Sequence, residues 1–158
     1  MNIAILTVSS GIYGKGPQAD VCGGVVRDLL LAGRHRVSHW EIVPNDREKI
    51  VIAAATLAKA EDADTVFILG GTGLGKRDVT IEALKRGFEK ELENFAPVFS
   101  MLVFSELGAE SIMLRSAAGI INGKPVFCLP SVPKACEIAV EKIILPQLEE
   151  LVKHAKEK

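Results

Sequence analysis

Apolar and polar positions fall along this chain in blocks whose period switches between strand and helix. Asn2 to Val8 is apolar and β-branched, which predicts a buried first strand. A Ser/Gly-rich loop, SSGIYGKGPQ, follows. Asp20 to Ala32 carries apolar residues at Val21, Val25, Leu29 and Ala32, the spacing of a helix face, with Asp20 placed to cap it and Gly33 to stop it. Val37 to Val43 predicts a second strand. Asn45 to Lys59 predicts a second helix with Ile50, Ala54, Leu57 and Ala58 on one face. Thr65 to Leu69, TVFIL, is a fully apolar third strand, and a third helix is expected from about Asp78. This alternation predicts an α/β domain with a parallel sheet covered by helices on both faces.

Beyond that helix the rhythm changes. PVFSMLVFSELG predicts a short helix, and GIINGKPVFCLP two strands around an Asn122–Gly123 turn, a short antiparallel element. Pro133 opens a last helix at the N1 position that proline favours. Pro146 is expected to kink or interrupt it, ahead of the amphipathic, charged LEELVKHAKEK. No linker, repeat or low-complexity stretch divides the chain, so residues 1–158 are expected to form one domain.

Composition removes several function classes. The net charge of −1 gives nucleic acid no electrostatic footprint. No run of 18 or more apolar residues is present, so no membrane span is expected. The opening MNIAILTVSS lacks a basic n-region and a small-residue cleavage site, which fits a first strand and not a signal peptide. Cys22, Cys128 and Cys136 are too few and too widely spaced for a disulfide framework or a zinc site. Cys128 lies in an apolar strand, and a reduced, cytoplasmic compartment is expected.

The chemistry concentrates in one stretch, FILGGTGLGKRDVT, residues 67 to 80. A Walker A loop would need a Ser or Thr hydroxyl for Mg²⁺ after its Gly-Lys, and here Arg77 follows Lys76. No later apolar strand ends in an Asp to complete such a site. A dinucleotide fingerprint would follow the first strand, whereas Gly71, Gly73 and Gly75 follow the third with the wrong spacing. What remains is an anion nest. Glycines permit backbone angles that turn successive N–H groups inward, at the C-terminal end of a parallel strand. Four glycines within residues 70–75 exceed what a tight turn needs. Asp78 is open to two readings. It can cap the following helix, or it can face the nest, where a carboxylate repels phosphate unless Mg²⁺ lies between them.

The sequence GGTGLGKRDVTIEAL, residues 70–84, resembles the signature G-G-T-G-x-x-x-R-D-x-T-x-E-A of the molybdenum-cofactor biosynthesis proteins, a family that includes the molybdopterin adenylyltransferases. Ser9, Asp20 and Gly23 fit an early S…D-x-S-G pattern of that family. RSAAGI, CLPSVPKA and ILPQLEEL resemble its later segments, in the same order, over nearly the whole chain. The resemblance implies a three-layer α/β molybdopterin-binding fold, usually assembled as a homotrimer or homohexamer. It implies molybdopterin and ATP as ligands and Mg²⁺ as the ATP-borne cofactor. The implied reaction is attack of molybdopterin's terminal phosphate on the α-phosphate of ATP.

The same resemblance supplies residue roles. Asp78 and Asp46 are the expected catalytic and metal-holding carboxylates. Ser9, Asp20, Gly71, Thr72, Gly73, Arg77, Thr80, Arg115, Ser131 and Lys134 are the expected substrate-binding residues. Arg115 can instead be a structural ion-pair partner, and Lys134 a solvated surface lysine. The chain also departs from the pattern. Asn45 stands where the adenylyltransferases carry their second aspartate, and it can cap the second helix instead. Cys22, Ser100, Leu114, Ser131 and Val132 replace a serine, an arginine, a serine, a glycine and a further loop residue. These departures keep open a second reading, a catalytically degenerate pterin- or nucleotide-binding or assembly protein.

Overall fold

A computed structural model describes residues 1–157 and arranges six strands in the order β2-β1-β3-β6-β5-β4. β1 (Asn2–Val8) pairs in parallel with β2 (Arg36–Val43) on one side and β3 (Thr65–Leu69) on the other. β6 (Lys124–Leu129) continues the parallel run beside β3. β5 (Ala117–Ile121) and β4 (Lys90–Glu91) add the antiparallel element. Asn122 and Gly123, at φ 50° and 70°, make the left-handed pair that the β5–β6 hairpin turn requires. β4 escapes a sequence reading because its two residues are both charged and exposed, with no apolar period to follow.

The strands sort their side chains between two cores. Ile3, Ile5, Phe67, Leu69, Phe127 and Leu129 face a layer of α1 (Val21–Ala32), α4 (Phe95–Leu107) and the C-terminal helices. Ala4, Leu6, Val66, Ile68, Val126 and Cys128 face α2 (Arg47–Lys59) and α3 (Thr80–Lys85). That is the three-layer α/β arrangement, and it explains why TVFIL is apolar at every position after Thr65, whose hydroxyl donates to Pro125 O at 2.7 Å.

Helix boundaries differ from expectation at three informative places. α2 starts at Arg47, and its cap is Asp46, which accepts from the Lys49 amide at 3.0 Å; Asn45 is not the cap. α3 starts only at Thr80, so Asp78 belongs to the loop. The last helix keeps running through Pro146. α5 (Pro133–Ile138) passes into a π-helical turn, Ala139–Ile144, and then into α6 (Leu145–Lys156). Proline brings no N–H for the preceding turn and crowds it, and the widened turn absorbs both effects in place of a break.

α4 is longer than predicted and buries Phe95, Phe99 and Val103 along one stripe. Its other side exposes Met101 at 63% and Phe104 at 60%, continued by Ile112 at 80% beyond the helix. The stretch Phe95–Met113 has a mean hydropathy of 1.3, but Gly108, at φ 71°, ends the α-helix inside it. The remaining 13 residues span about 20 Å, short of the roughly 30 Å hydrocarbon core of a bilayer.

Candidate functional site

β1 crosses over to β2 on one side, and β3 lies on its other side. This reversal is the topological switch point, where open α/β sheets leave a crevice at the carboxyl ends of their strands. Two loops meet there: the segment after Val8 and the glycine loop after Leu69.

The glycine loop is built by backbone geometry that other residues could not adopt. Gly70 and Gly71 have φ of 98° and 68°. A Cβ on Gly70 would lie 2.4 Å from the Val8 carbonyl oxygen, and one on Gly71 would lie 2.1 Å from Thr80 Oγ1. Thr80 fastens the turn: its hydroxyl donates to Gly70 O at 2.9 Å and its amide to Gly71 O at 2.9 Å. Thr80 is fully buried, and its hydroxyl proton is committed to holding the loop together.

Thr72 is different. It is 1% exposed, and its hydroxyl has no hydrogen-bond partner among the described residues. A buried, unpaired hydroxyl costs about 1–3 kcal/mol, so the loop holds a polar group in reserve. Asp78 folds back into the same loop and accepts from the Gly75 amide at 3.0 Å through Oδ2. A Cβ on Gly73 would come within 2.7 Å of that oxygen, which explains the glycine there. Asp78 therefore caps no helix. Its carboxylate folds back onto the glycine loop. α3 has only six residues, so the donors of the nest come from loop amides more than from a helix dipole.

Arg115 closes the loop from the far side. Its Nε donates to Thr72 O at 2.9 Å, one terminal nitrogen to Gly73 O at 3.0 Å and the other to Glu82 at 2.6 Å. The guanidinium holds the Glu82 carboxyl below the usual carboxylate range. Since the folded pKa is depressed, this contribution is present above the unfolded value and is lost as pH falls through the folded one. Arg115 is thus a brace for the nest, and its fork faces protein carbonyls. Arg115→Lys keeps the charge but not the fork. We expect it to cost about 1–2 kcal/mol in thermal unfolding and to weaken anion binding about tenfold in titration calorimetry.

Asn45 ties the two loops together. Its Oδ1 accepts from the Ser10 amide at 3.0 Å and the Ser10 hydroxyl at 3.2 Å, and its Nδ2 donates to Arg77 O at 3.4 Å. An aspartate could accept from Ser10 but could not donate to a carbonyl. The residue that reads in sequence as a lost carboxylate is therefore a clamp suited to an amide. Asp46, one residue on, directs Oδ1 to the α2 cap.

The remaining expected residues scatter. Asp20 is 4% exposed and accepts from Thr7 Oγ1, from the Gly23 amide at 2.9 Å and from Trp40 Nε1 at 3.0 Å. Its carboxylate thus already receives three donors from the protein. Trp40 is invisible as a partner in the sequence, because nothing there links strand β2 to Asp20. Ser9 is half-buried at the mouth of the first loop, and its amide donates to Val43 O at 2.8 Å. Ser131 is exposed, with its hydroxyl against Gly70. Lys76 and Arg77 are exposed and form no ion pair among the described residues. Lys134 is different: it lies 3.5 Å from both Glu106 and Glu137, and Glu137 foremost keeps its pKa above the ordinary value. Its charge is already answered by protein. Ser100 is exposed on α4, and Leu114 packs against the core.

No group of three or more His, Cys, Asp or Glu side chains able to hold a metal occurs among the described residues. The clefts flanking β4, of about 530 and 560 Å³, lie away from the glycine loop and are lined by Glu89, Glu91 and Glu93, which disfavour an anion.

Fold and loop together define an α/β protein with a glycine-rich loop at the switch point of a mainly parallel sheet. Residues 4–150 match the family described as a probable molybdopterin binding domain. The chain is 39% identical over 147 residues to molybdenum cofactor biosynthesis protein B of Escherichia coli K12, covering 93% of this chain and 85% of that protein. A crystal structure of a molybdenum cofactor biosynthesis protein B superposes with a TM-score of 0.92 at 34% identity, covering 98% of this chain and 95% of the other. The tungsten cofactor synthesizing protein MoaB from Pyrococcus furiosus gives 0.86, also at 34% identity, covering 99% and 97%. The chain belongs to this family of molybdenum cofactor biosynthesis proteins.

Proposed function

We propose that the protein binds molybdopterin and transfers AMP from Mg-ATP to its terminal phosphate. One observation carries this reading: a glycine-built nest that contains its own carboxylate, Asp78. Loop amides and the unpaired Thr72 hydroxyl suit phosphate oxygens, and Lys76 and Arg77 add positive charge at the rim. Asp78 is out of place beside a bare phosphate and in place beside a phosphate that carries a cation. Asp78 would hold Mg²⁺ brought in by the nucleotide, and Asp46, whose Oδ1 caps α2, would offer its second oxygen. When bound, the cation neutralises charge on the phosphates. The protein's share is to hold the two phosphates in line and to stabilise charge on the leaving pyrophosphate.

Purified protein incubated with molybdopterin, Mg²⁺ and α-labelled ATP is expected to yield a labelled pterin and pyrophosphate. Molybdopterin binding without labelled product would favour the second reading, a non-catalytic pterin- or nucleotide-binding protein. The feature that speaks for that reading is Asn45, an amide where the adenylyltransferases carry a carboxylate.

The exposed apolar side of α4 supports a homo-oligomer, as the family resemblance implies. A monomer seldom leaves Met101, Phe104 and Ile112 all largely exposed to water. Met101→Glu combined with Phe104→Glu is expected to convert a multimer to a folded monomer in analytical ultracentrifugation. A wild-type chain that sediments as a monomer at all concentrations would reject the assembly.

A further inference from the structure

Among the described residues, two side chains from outside residues 70–80 hydrogen-bond to the glycine loop. Arg115 holds its near half at Thr72 O and Gly73 O, and Asn45 reaches its far half at Arg77 O. The far half carries Lys76, Arg77 and Asp78. Within it, the Gly75 amide donates to Asp78 Oδ2 at 3.0 Å and the Asp78 amide to Gly75 O at 3.1 Å. Asn45 is itself held by Ser10. Besides accepting the Ser10 amide and hydroxyl through Oδ1, it donates its own amide to Ser10 Oγ at 3.0 Å. Ser10 follows Ser9, whose amide is bonded to Val43 O at the end of β2. Asn45 therefore anchors the far half of the glycine loop to the sheet through the first loop.

We propose that Asn45 is a positioning residue for Asp78, and that the site depends on its being an amide. Each end of its side chain has its own task. Oδ1 must accept and Nδ2 must donate, and a carboxamide does both. A carboxylate at residue 45 keeps the Ser10 side of the link. On the other side it sets a negative oxygen against the Arg77 carbonyl, and it places a further charge next to the residue that precedes Asp78. The far half is then released, and Asp78 with it. An asparagine that merely stood in for a missing metal ligand would behave in the opposite way, because a carboxylate would improve the site. The work of Asp78 on a Mg-bound phosphate rests on the proposed function; the anchoring of the loop by Asn45 does not.

The test compares the full-length wild type with Asn45→Asp and Asn45→Ala, first by amide hydrogen exchange in ligand-free protein. Asn45 is half-buried at the surface, so both variants keep the fold. In Asn45→Asp the Gly75 and Asp78 amides are expected to exchange about tenfold faster, while the Ser10 amide stays protected. In Asn45→Ala all three exchange faster. The Thr80 amide, bonded to Gly71 O in the half that Arg115 holds, is the internal control and is expected to be unchanged. Unchanged exchange at Gly75 and Asp78 in Asn45→Asp, or an equal acceleration at Thr80, would overturn the proposal.

The second arm is turnover of α-labelled ATP with molybdopterin and Mg²⁺. Asn45→Asp is expected to lower kcat about tenfold while KM for ATP stays within about threefold of wild type. A rise in kcat would equally overturn the proposal. Absence of turnover in the wild type, with the exchange pattern as expected, would count against the proposed function alone.

Discussion

Asp78→Asn is expected to lower adenylyl transfer about 10³-fold or more while leaving molybdopterin affinity within about threefold of wild type. The substitution is nearly isosteric. The side-chain oxygen of the introduced asparagine can still accept from the Gly75 amide, so the bond that folds residue 78 into the loop survives. What disappears is one negative charge in a nest of N–H donors. A loss of that size corresponds to about 4 kcal/mol of transition-state stabilisation, reasonable for a group that holds the reacting phosphate's cation. A second effect separates this account from simple damage. Without Mg²⁺, the variant is expected to bind ATP more tightly than wild type, because the repulsion between carboxylate and phosphate is gone. With Mg²⁺, the order reverses. Turnover close to wild type in Asp78→Asn would remove the carboxylate from the reaction and leave a binding protein.

The second large effect is on the scaffold. Gly70→Ala is expected to destabilise the protein by about 3–5 kcal/mol and to lower Tm by about 10 °C. Gly70 combines a left-handed φ of 98° with a Cβ position 2.4 Å from Val8 O, and Val8 is the end of β1, a strand held between two neighbours. Neither the strand nor the glycine can move without opening the sheet. Gly24→Ala is the control. A Cβ there meets nothing within 4 Å, and the residue lies inside α1. Alanine in a helix is better by about 1 kcal/mol, so Tm should hold or rise. Equal losses from both substitutions in a thermal melt would show that the loop geometry has no special role.

Much of the fold is legible in the hydrophobic pattern. β1 and β3 lie where that pattern bounds them, because a strand buried on both faces is apolar at nearly every position, and a run as short and β-branched as TVFIL suits a strand better than a helix. The exchange between Asn45 and Asp46 is not legible. Both residues can cap a helix, and the choice depends on a Ser10–Asn45–Arg77 contact that spans the sequence. Arg115 poses the same problem. A guanidinium suits a phosphate and a pair of carbonyls equally well, and only the folded loop shows the carbonyls already there. Thr80 and Asp20 match the family's motif through their residue type, yet both face inward. A motif records which residues a loop needs, including those that hold it together. The glycines and Asp78, by contrast, announce a backbone requirement and a local charge, and both survive translation from sequence to structure.

If phosphate binds on the Gly71–Asp78 loop, a crystal of the protein soaked with molybdopterin or with ATP and Mg²⁺ will show phosphate density on the loop amides within hydrogen-bond reach of Thr72 Oγ1, with a cation between it and Asp78 in the ATP soak. An ordered ligand elsewhere, with the Thr72 hydroxyl still unpaired and the loop empty, would contradict binding there.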